Sequence, residues 1–377
     1  MSSLPVCCLI GTRAQLIKMA PVLLELEHRR IPCKLLLSGQ HRATMHALLA
    51  EFGLNVPRQM LYDGAEVSSL LATPFWFFAC LWRLMRHRHY LPAQTPLLLT
   101  HGDTLSTLLA ALAGRLHGIP VAHVESGLRS FHWRQPFPEE LIRLAVFRLS
   151  QIFFCPDKTA CRNLTRHPSP QVVNTNGNTL ADAVHLALKQ KQSDDDWCLP
   201  ASWKSYAVAS LHRFENIFSA RRLKRIIILL EQAASACPLV FVLHPATERR
   251  LRRYRLLDRL RANERIVLAP RQSYFPFVRL LRDARFVISD GGSNQEELAY
   301  LGKPTLLMRS ATERLEGLDT TAQLCYYDAD HLGAFLAQLP PSGAVSEPQF
   351  PAGSPSARIV DFIARRIAES ASMKTSL

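Results

Sequence analysis

A chain of 377 residues is long enough for two domains of ordinary size, each with its own core. With 48% apolar and 20% charged residues it is globular, which excludes a disordered tail or linker protein. The net charge of +14 favours an anionic partner, but Lys and Arg are spread along most of the chain with no nucleic-acid-binding motif, so nucleic acid is not expected. Nine cysteines (Cys7, Cys8, Cys33, Cys80, Cys155, Cys161, Cys198, Cys237 and Cys325) form no CxxC pair. An odd count without ligand spacing points to reduced, mostly buried thiols in a cytosolic protein and to no metal.

The opening MSSLPVCCLI lacks a basic n-region and reads as a first strand rather than a signal peptide. Apolar runs at 6–10, 33–37, 97–100, 121–124, 152–155 and 172–175 read as strands. Helix-length segments such as 14–29 and 105–117 lie between them, and this βαβ rhythm predicts a parallel, doubly wound sheet. The stretch 74–85, PFWFFACLWRLM, is apolar on nearly all faces and runs into Arg86, His87, Arg88 and His89. It falls short of the roughly 18 residues a bilayer span needs. It reads either as a helix packed at a domain surface or as a patch that docks on a membrane, with cations meeting anionic headgroups.

A polar stretch at 189–200, KQKQSDDDWCLP, reads as a linker. The rhythm restarts after it, with strand-like runs at 206–210, 239–243, 266–268, 286–289 and 305–308. A second polar stretch at 340–356 precedes a last amphipathic helix from 357 to about 369. The expected fold is α/β, with two doubly wound Rossmann-like domains facing a central cleft. The expected divisions are 1–190, 200–355 and a C-terminal helix and tail at 356–377 that packs back on the first domain. Such domains bind ligands at the carboxyl ends of their strands, so chemistry is sought just after each strand.

Gly11, Thr12 and Arg13 follow the first strand and open a helix, with Lys18 one turn further. A helix N-terminus and a guanidinium there suit a phosphate, although a plain strand-to-helix turn would use the same residues. Asp103, in His101-Gly102-Asp103-Thr104, is either a helix cap or a cleft carboxylate. Glu125 ends a strand in His123-Val124-Glu125-Ser126-Gly127-Leu128-Arg129. Glu139 and Glu140 begin a helix after Pro136-Phe137-Pro138, with Arg143 one turn on. Asp103, Glu125 and Glu139 fall in neighbouring loops of one sheet. Clustered carboxylates raise one another's pKa, so one can serve as acid while another serves as base.

In the second half, His212 and Arg213 follow the first strand and His244 follows the second. Ser289, Asp290, Gly291, Gly292 and Ser293 follow the fourth, with Glu296 and Glu297 one turn into the next helix. Paired glycines let backbone N–H groups approach a diphosphate, and a carboxylate one turn on can accept from ribose hydroxyls. Arg314 lies in the loop after the fifth strand.

Taken in order, these residues resemble the UDP-N-acetylglucosamine 2-epimerase family. The quoted elements are GTRAQLIKMAPV (11–22), QHR (40–42), HGDT (101–104), HVESGLR (123–129), PEE (138–140), NGNT (176–179), HRFE (212–215), SDGGSNQEE (289–297), LGKP and TERLEG, within residues 6 to 325. The resemblance implies the glycosyltransferase-B fold, with UDP mainly on the C-terminal half. It implies a reaction in which a base takes the C2 proton of a UDP-hexosamine while UDP leaves C1. UDP then re-adds after protonation of the other face, or water adds and N-acetylmannosamine is released. It assigns proton transfer and leaving-group assistance to Asp103, Glu125, Glu139 and His212, leaving open which carboxylate is the base. Lys18 would orient the carboxylates or neutralise charge. Arg13, His212, Arg213, His244, Ser289, Gly291, Gly292, Ser293 and Arg314 would hold the diphosphate, and Glu296 or Glu297 the ribose. No cofactor or metal is implied, since the leaving group is already anionic. A homodimer and a role in surface polysaccharide synthesis follow as family expectations.

The sequence departs from the family pattern at Ala14-Gln15 (family Pro-Glu), at Ala43, at His244-Pro245-Ala246 and in the GGS order at 291–293. The resemblance implies that some of these positions form a second, activating sugar-nucleotide site in bacterial non-hydrolysing members. Two other readings compete. One is a glycosyltransferase with a UDP-sugar donor and a membrane-linked acceptor. The other is a non-catalytic sugar-nucleotide binder. Neither has a use for the whole carboxylate set.

Overall fold

The run 6–10 forms a strand whose five residues are all buried (β1, Val6–Ile10). Both of its faces are covered, which is why its sequence shows no polar alternation. The computed structural model describes residues 6–39, 42–64, 72–132, 138–165, 171–190, 199–200, 202–312, 314–341 and 347–375. After β1 come α1 (Arg13–His28), β2 (Cys33–Leu37), α2 (Arg42–Glu51), β3 (Arg58–Met60), α3 (Ala72–Arg86) and β4 (Leu98–His101). Then follow α4 (Leu105–His117), β5 (Val121–Val124), α5 (Glu139–Leu149), β6 (Ile152–Cys155), α6 (Lys158–Arg162), β7 (Gln171–Asn174) and α7 (Thr179–Lys189). The seven strands form one sheet in the order β3-β2-β1-β4-β5-β6-β7, with every pairing parallel.

The rhythm restarts with β8 (Ala207–Leu211), α8 (Phe214–Ile217), α9 (Ala220–Ala236), β9 (Leu239–Leu243), α10 (Pro245–Arg253), α11 (Leu257–Arg261) and β10 (Ile266–Pro270). It continues through α12 (Tyr274–Asp283), β11 (Val287–Ser289), α13 (Gly292–Tyr300), β12 (Thr305–Leu307), β13 (Ala322–Leu324) and α14 (Ala329–Ala337), and the chain ends in α15 (Pro355–Thr375). These six strands are parallel in the order β10-β9-β8-β11-β12-β13. In both sheets the order reverses once, between β1 and β4 and between β8 and β11. Doubly wound sheets bind ligands at that reversal, outside the carboxyl ends of the strands.

Two units make up the chain: Met1–Ala183 with Pro351–Leu377, and Val184–Phe350. The last helix belongs to the first unit. Ile359, Val360 and Ile363 of α15 are fully buried, Phe362 meets Phe154 edge-on at 5.5 Å, and Asp361 pairs with Arg29 of α1. Most of the 189–200 stretch and part of the 340–356 stretch lie outside the described residues. All described cysteines are free, and all but Cys161 are buried.

Several strands sit one residue from the expected run. The run expected at 97–100 forms β4 at Leu98–His101, because His101 is still paired with Val124 in the ladder. Two strands have no counterpart in the apolar pattern. β3 is Arg-Gln-Met and β13 is Ala-Gln-Leu, three residues each at sheet edges. An edge strand can be short and polar, so it carries no hydrophobic signature.

Candidate active site

The first unit's reversal point gathers the loops after β1, β4 and β5. Thr12 caps α1 and forms a capping box with Gln15. Gln15 is almost fully buried, and its amide ties the two loops together. Its Oε1 accepts from the backbone of Gly11 (2.9 Å) and Thr12 (3.1 Å) and from the Ser106 hydroxyl (2.8 Å). Its Nε2 donates to the His101 carbonyl (2.6 Å) and to Thr107 Oγ1 (3.0 Å). The departure from the family's Glu at this position therefore serves internal structure here. Ala43, the second departure, has a side chain outside the described set.

Glu125 follows β5 with φ of 60°, left-handed backbone that few non-glycine residues adopt. Two residues on, Gly127 has φ of 81°, and a Cβ there would lie 2.2 Å from the Ala160 carbonyl oxygen. The chain thus turns sharply after the strand and lays the Glu125 carboxylate inward. Lys18 Nζ donates to its Oε1 at 2.7 Å, and Asn178 Nδ2 donates to the same oxygen at 2.8 Å. His101 Nε2 approaches the other oxygen at 3.0 Å. Lys18 and Glu125 are 4% and 7% exposed, so this ion pair is shielded from water.

Asp103 does not cap α4. Thr104 takes that role with its own capping box, and Asp103 pairs with Arg143 of α5 (Nη2 at 2.6 Å, Nε at 2.9 Å). Arg143 also reaches Glu140 at 3.2 Å, and Glu140 accepts from Arg129 (2.5 Å) and from the Ser130 N–H (3.1 Å). Burial alone would raise the Glu140 pKa, but the hydrogen bonds from Arg129, Ser130 and Arg143 outweigh it and hold the carboxyl below the usual range. Asp103 and Glu125 are thus each met by a cation, Arg143 and Lys18. Glu139 opens α5 without a side-chain cap. Its Oε2 is buried and, among the described residues, has no hydrogen-bond partner.

His123 lies beneath this loop, 1% exposed, and its Nε2–H donates to the Gly102 carbonyl at 2.7 Å. Burial lowers its pKa to about 4, so the ring is neutral in the folded protein. Unfolding returns it to about 6.5, so the unfolded chain binds more protons between those values. Stability is therefore expected to be fully present above pH 6.5 and to fall by about 3 kcal/mol as pH drops toward 4. His123→Gln should flatten that limb in denaturant titrations across this range. An unchanged slope would show that another group governs it.

At the second unit's reversal point, Asp290 is completely buried. It accepts from the backbone N–H of His212 (2.9 Å) and Arg213 (3.0 Å) and from Asn216 Nδ2 (2.9 Å). His212 Nδ1 lies 3.4 Å from Asp290 Oδ1, and Asn216 is held in turn by the Tyr327 hydroxyl at 2.8 Å. The imidazole of His212 stacks on His244, with centroids 5.6 Å apart. Gly291 makes room for it, since a Cβ there would sit 2.8 Å from His212 Cε1.

Gly291 precedes α13, which has no side-chain cap. The first-turn N–H groups of Gly292, Ser293 and Asn294 have no carbonyl four residues back inside the helix, which is the arrangement an anion exploits. Ser289, buried at the end of β11, accepts from the Gly291 N–H at 3.2 Å. Arg314 Nη1 lies 3.2 Å from Glu296 Oε2, and the Tyr300 hydroxyl donates to the same carboxylate at 3.3 Å. Glu296 and Glu297 are both buried. Gln295 fixes the Arg314 loop by donating to the carbonyls of Arg314 (3.1 Å) and Glu316 (2.9 Å). Arg213 lies 3.3 Å from Glu215, and Arg13 is the first residue of α1. Among the described residues, no group of three His, Cys, Asp or Glu is arranged to hold a metal.

Reading the sequence assigned no role to Asn178, His101, Asp290, Asn216 or Tyr327. Asn178 and His101 lie inside quoted motifs. Their contacts with Glu125 come from chain segments too distant for spacing to reveal.

Two parallel doubly wound sheets, with polar motifs after β1, β4, β5, β8 and β11, define a glycosyltransferase-B type protein. The fold is shared at a TM-score of 0.59 with the solved structure of the glycotransferase of kitacinnamycin, at 14% identity and covering 97% of this chain and 99% of that one. A model of the UDP-N-acetylglucosamine 2-epimerase family matches residues 24–364, and the chain belongs to that family. It is 32% identical over 332 residues to the UDP-N-acetylglucosamine 2-epimerase of Neisseria meningitidis serogroup A, covering 83% of this chain and 84% of that protein. Its fold matches the crystal structure of the Methanocaldococcus jannaschii UDP-GlcNAc 2-epimerase in complex with UDP-GlcNAc and UDP at a TM-score of 0.77. The identity is 26%, with 96% of this chain and all of that one covered.

Proposed function

We propose that the protein inverts C2 of UDP-N-acetylglucosamine, as a UDP-N-acetylglucosamine 2-epimerase, to supply N-acetylmannosamine units for surface polysaccharide. A carboxylate removes the C2 proton, the C1–O bond breaks, and UDP leaves with its electron pair to give a C1–C2 alkene. The intermediate is then protonated at the other face of C2 while UDP re-adds at C1, or water adds at C1 and free N-acetylmannosamine departs.

The observation that carries this reading is the buried Glu125 carboxylate, held by Lys18, Asn178 and His101 in a chain of this family. A glycosyltransferase has no C2 proton to move, so the carboxylate set favours the epimerase over that alternative. Glu139, with a buried oxygen that accepts from no described residue, is suited to take the substrate proton. Asp103 and Glu125, each beside a cation, are suited to steady charge and to return a proton. His212, Arg213, His244, Arg13, Arg314 and the N–H groups of 291–293 are suited to the leaving diphosphate, with Ser289 shaping that turn. Glu296 or Glu297 is suited to the ribose hydroxyls.

A sugar-nucleotide substrate fits a cytoplasmic enzyme; the family supports a homodimer, and the apolar, basic segment 74–89 supports peripheral contact with the inner face of the membrane. Proton NMR with UDP-N-acetylglucosamine in deuterated water tests the reaction. Deuterium at C2, with UDP-N-acetylmannosamine or free N-acetylmannosamine formed, is expected. UDP binding with no exchange at C2 would sink the reading.

A further inference from the structure

β7 runs into a tight loop that ends at Asn178, the residue just before α7. The Asn178 side-chain oxygen accepts from the Leu180 N–H at 3.0 Å. An amide whose oxygen caps a helix must turn its NH2 the other way. Here that NH2 meets Glu125 Oε1 at 2.8 Å, the oxygen that also accepts from Lys18. One side chain therefore starts a helix and holds the carboxylate, and a single orientation of its amide does both.

The loop is gripped from two sides. Toward the sheet, the Gly177 N–H donates to the Pro156 carbonyl at 2.7 Å, and the Thr175 hydroxyl donates to the Cys155 carbonyl at 2.8 Å. Toward the end of the chain, Gly177 (φ of 144°) abuts two prolines: a Cβ there would lie 2.5 Å from Pro351 Cγ and 3.1 Å from Pro355 Cγ. Asp182, in the first turn of α7, accepts from the Ser356 N–H at 2.8 Å, at the start of α15. Ile359 of α15, fully buried, lines a cavity of about 10 Å³ together with Glu125 and Asn178. That is room for about one water, so the pair has little space to move. All of these residues belong to the first unit.

We propose that Asn178 is a positioning residue for Glu125, and that docking of the 351–359 segment keeps its amide in place. The inference rests on the role given to Glu125 above. Lys18 from α1 and His101 from β4 face this carboxylate, and His123 from β5 lies within its field. Lys18 supplies charge, but an ammonium on a flexible four-carbon stem sets no direction. The Asn178 amide, pinned by the helix it caps, does. Its N–H favours the ionised carboxylate, so losing it drives Glu125 toward the protonated form.

Asn178→Ser keeps a helix cap, since a serine hydroxyl accepts from the same turn, and deletes the donor to Glu125. Its kcat on UDP-N-acetylglucosamine should fall about tenfold with KM unchanged, and the acid limb of its pH–rate profile should move to higher pH. Gly177→Ala should do the same from a distance, because the new Cβ forces the loop off Pro351. Asn178→Thr, with a second capping hydroxyl, takes over if the serine variant does not fold. Carbon NMR of protein labelled at the glutamate carboxyl, with Glu125→Gln identifying the signal, follows the Glu125 proton without turnover. A parent that exchanges no C2 proton would end the epimerase reading, and this titration would still decide the positioning. The Glu125 midpoint should lie at higher pH in both the serine and the alanine variant. Parental kcat and midpoint in Asn178→Ser would reduce Asn178 to a helix cap and overturn the proposal. A parental midpoint in folded Gly177→Ala would overturn the part assigned to 351–359.

Discussion

Glu125→Gln is expected to lower turnover at least 1,000-fold, about 4 kcal/mol of barrier, while UDP affinity stays within about twofold. The amide has nearly the shape of the carboxylate, so the turn at positive φ and the contacts to Asn178 and His101 can persist. What disappears is the negative charge that pairs with Lys18 at 2.7 Å inside the protein. A variant that folds, binds UDP and still turns over within tenfold of the parent would remove Glu125 from the chemistry. Lys18→Met supplies the reciprocal result. Without the ammonium, the ionised form of Glu125 loses its main support, so the acid limb of the pH–rate profile should move to higher pH. Turnover at neutral pH should fall about 100-fold. Partial recovery at alkaline pH would separate this electrostatic effect from damage to the fold.

Asp290→Ala should cost about 3 kcal/mol of stability and weaken UDP binding at least tenfold. The carboxylate is a strut beneath the His212 loop. It is fully buried and satisfies two backbone N–H groups and the Asn216 amide. Removing it strands three donors where water does not reach, and it frees the peptide that sets the His212 ring against His244. Asp290→Asn should be milder, because one acceptor oxygen remains while the new NH2 faces donors. Calorimetric titration with UDP and thermal unfolding of both variants check the order. Parental UDP affinity in the alanine variant would show that His212 needs no such support.

These two residues differ in how far the sequence exposed them. Glu125 stands at the end of an apolar strand, before Ser-Gly, where a carboxylate has little structural excuse. Asp290 sits between a serine and two glycines, and those glycines drew the reading toward a diphosphate. Its partners are 74 to 78 positions away in the chain, so no local pattern announces them. Asp103 shows the same limit. Its spacing to the helix allowed a cap or a cleft carboxylate, and only the position of Arg143, 40 residues on, shows what it pairs with. Parallel strands buried on both faces were legible as unbroken apolar runs, whereas the edge strands β3 and β13 were not, because nothing requires them to be apolar.

The return of α15 to the first unit has a consequence for synthesis. The second unit, Val184–Phe350, is one uninterrupted stretch of chain, while the first needs both Met1–Ala183 and Pro351–Leu377. Emerging from the ribosome, the second unit has all its residues available before the first does, although the first begins to appear earlier. Until the final helix is released, the surface of α1 that packs on it and the Phe154 ring that meets Phe362 remain uncovered. A nascent chain stopped after residue 350 would carry a finished second unit beside a first one with apolar side chains open to water, a ready substrate for chaperones and for aggregation.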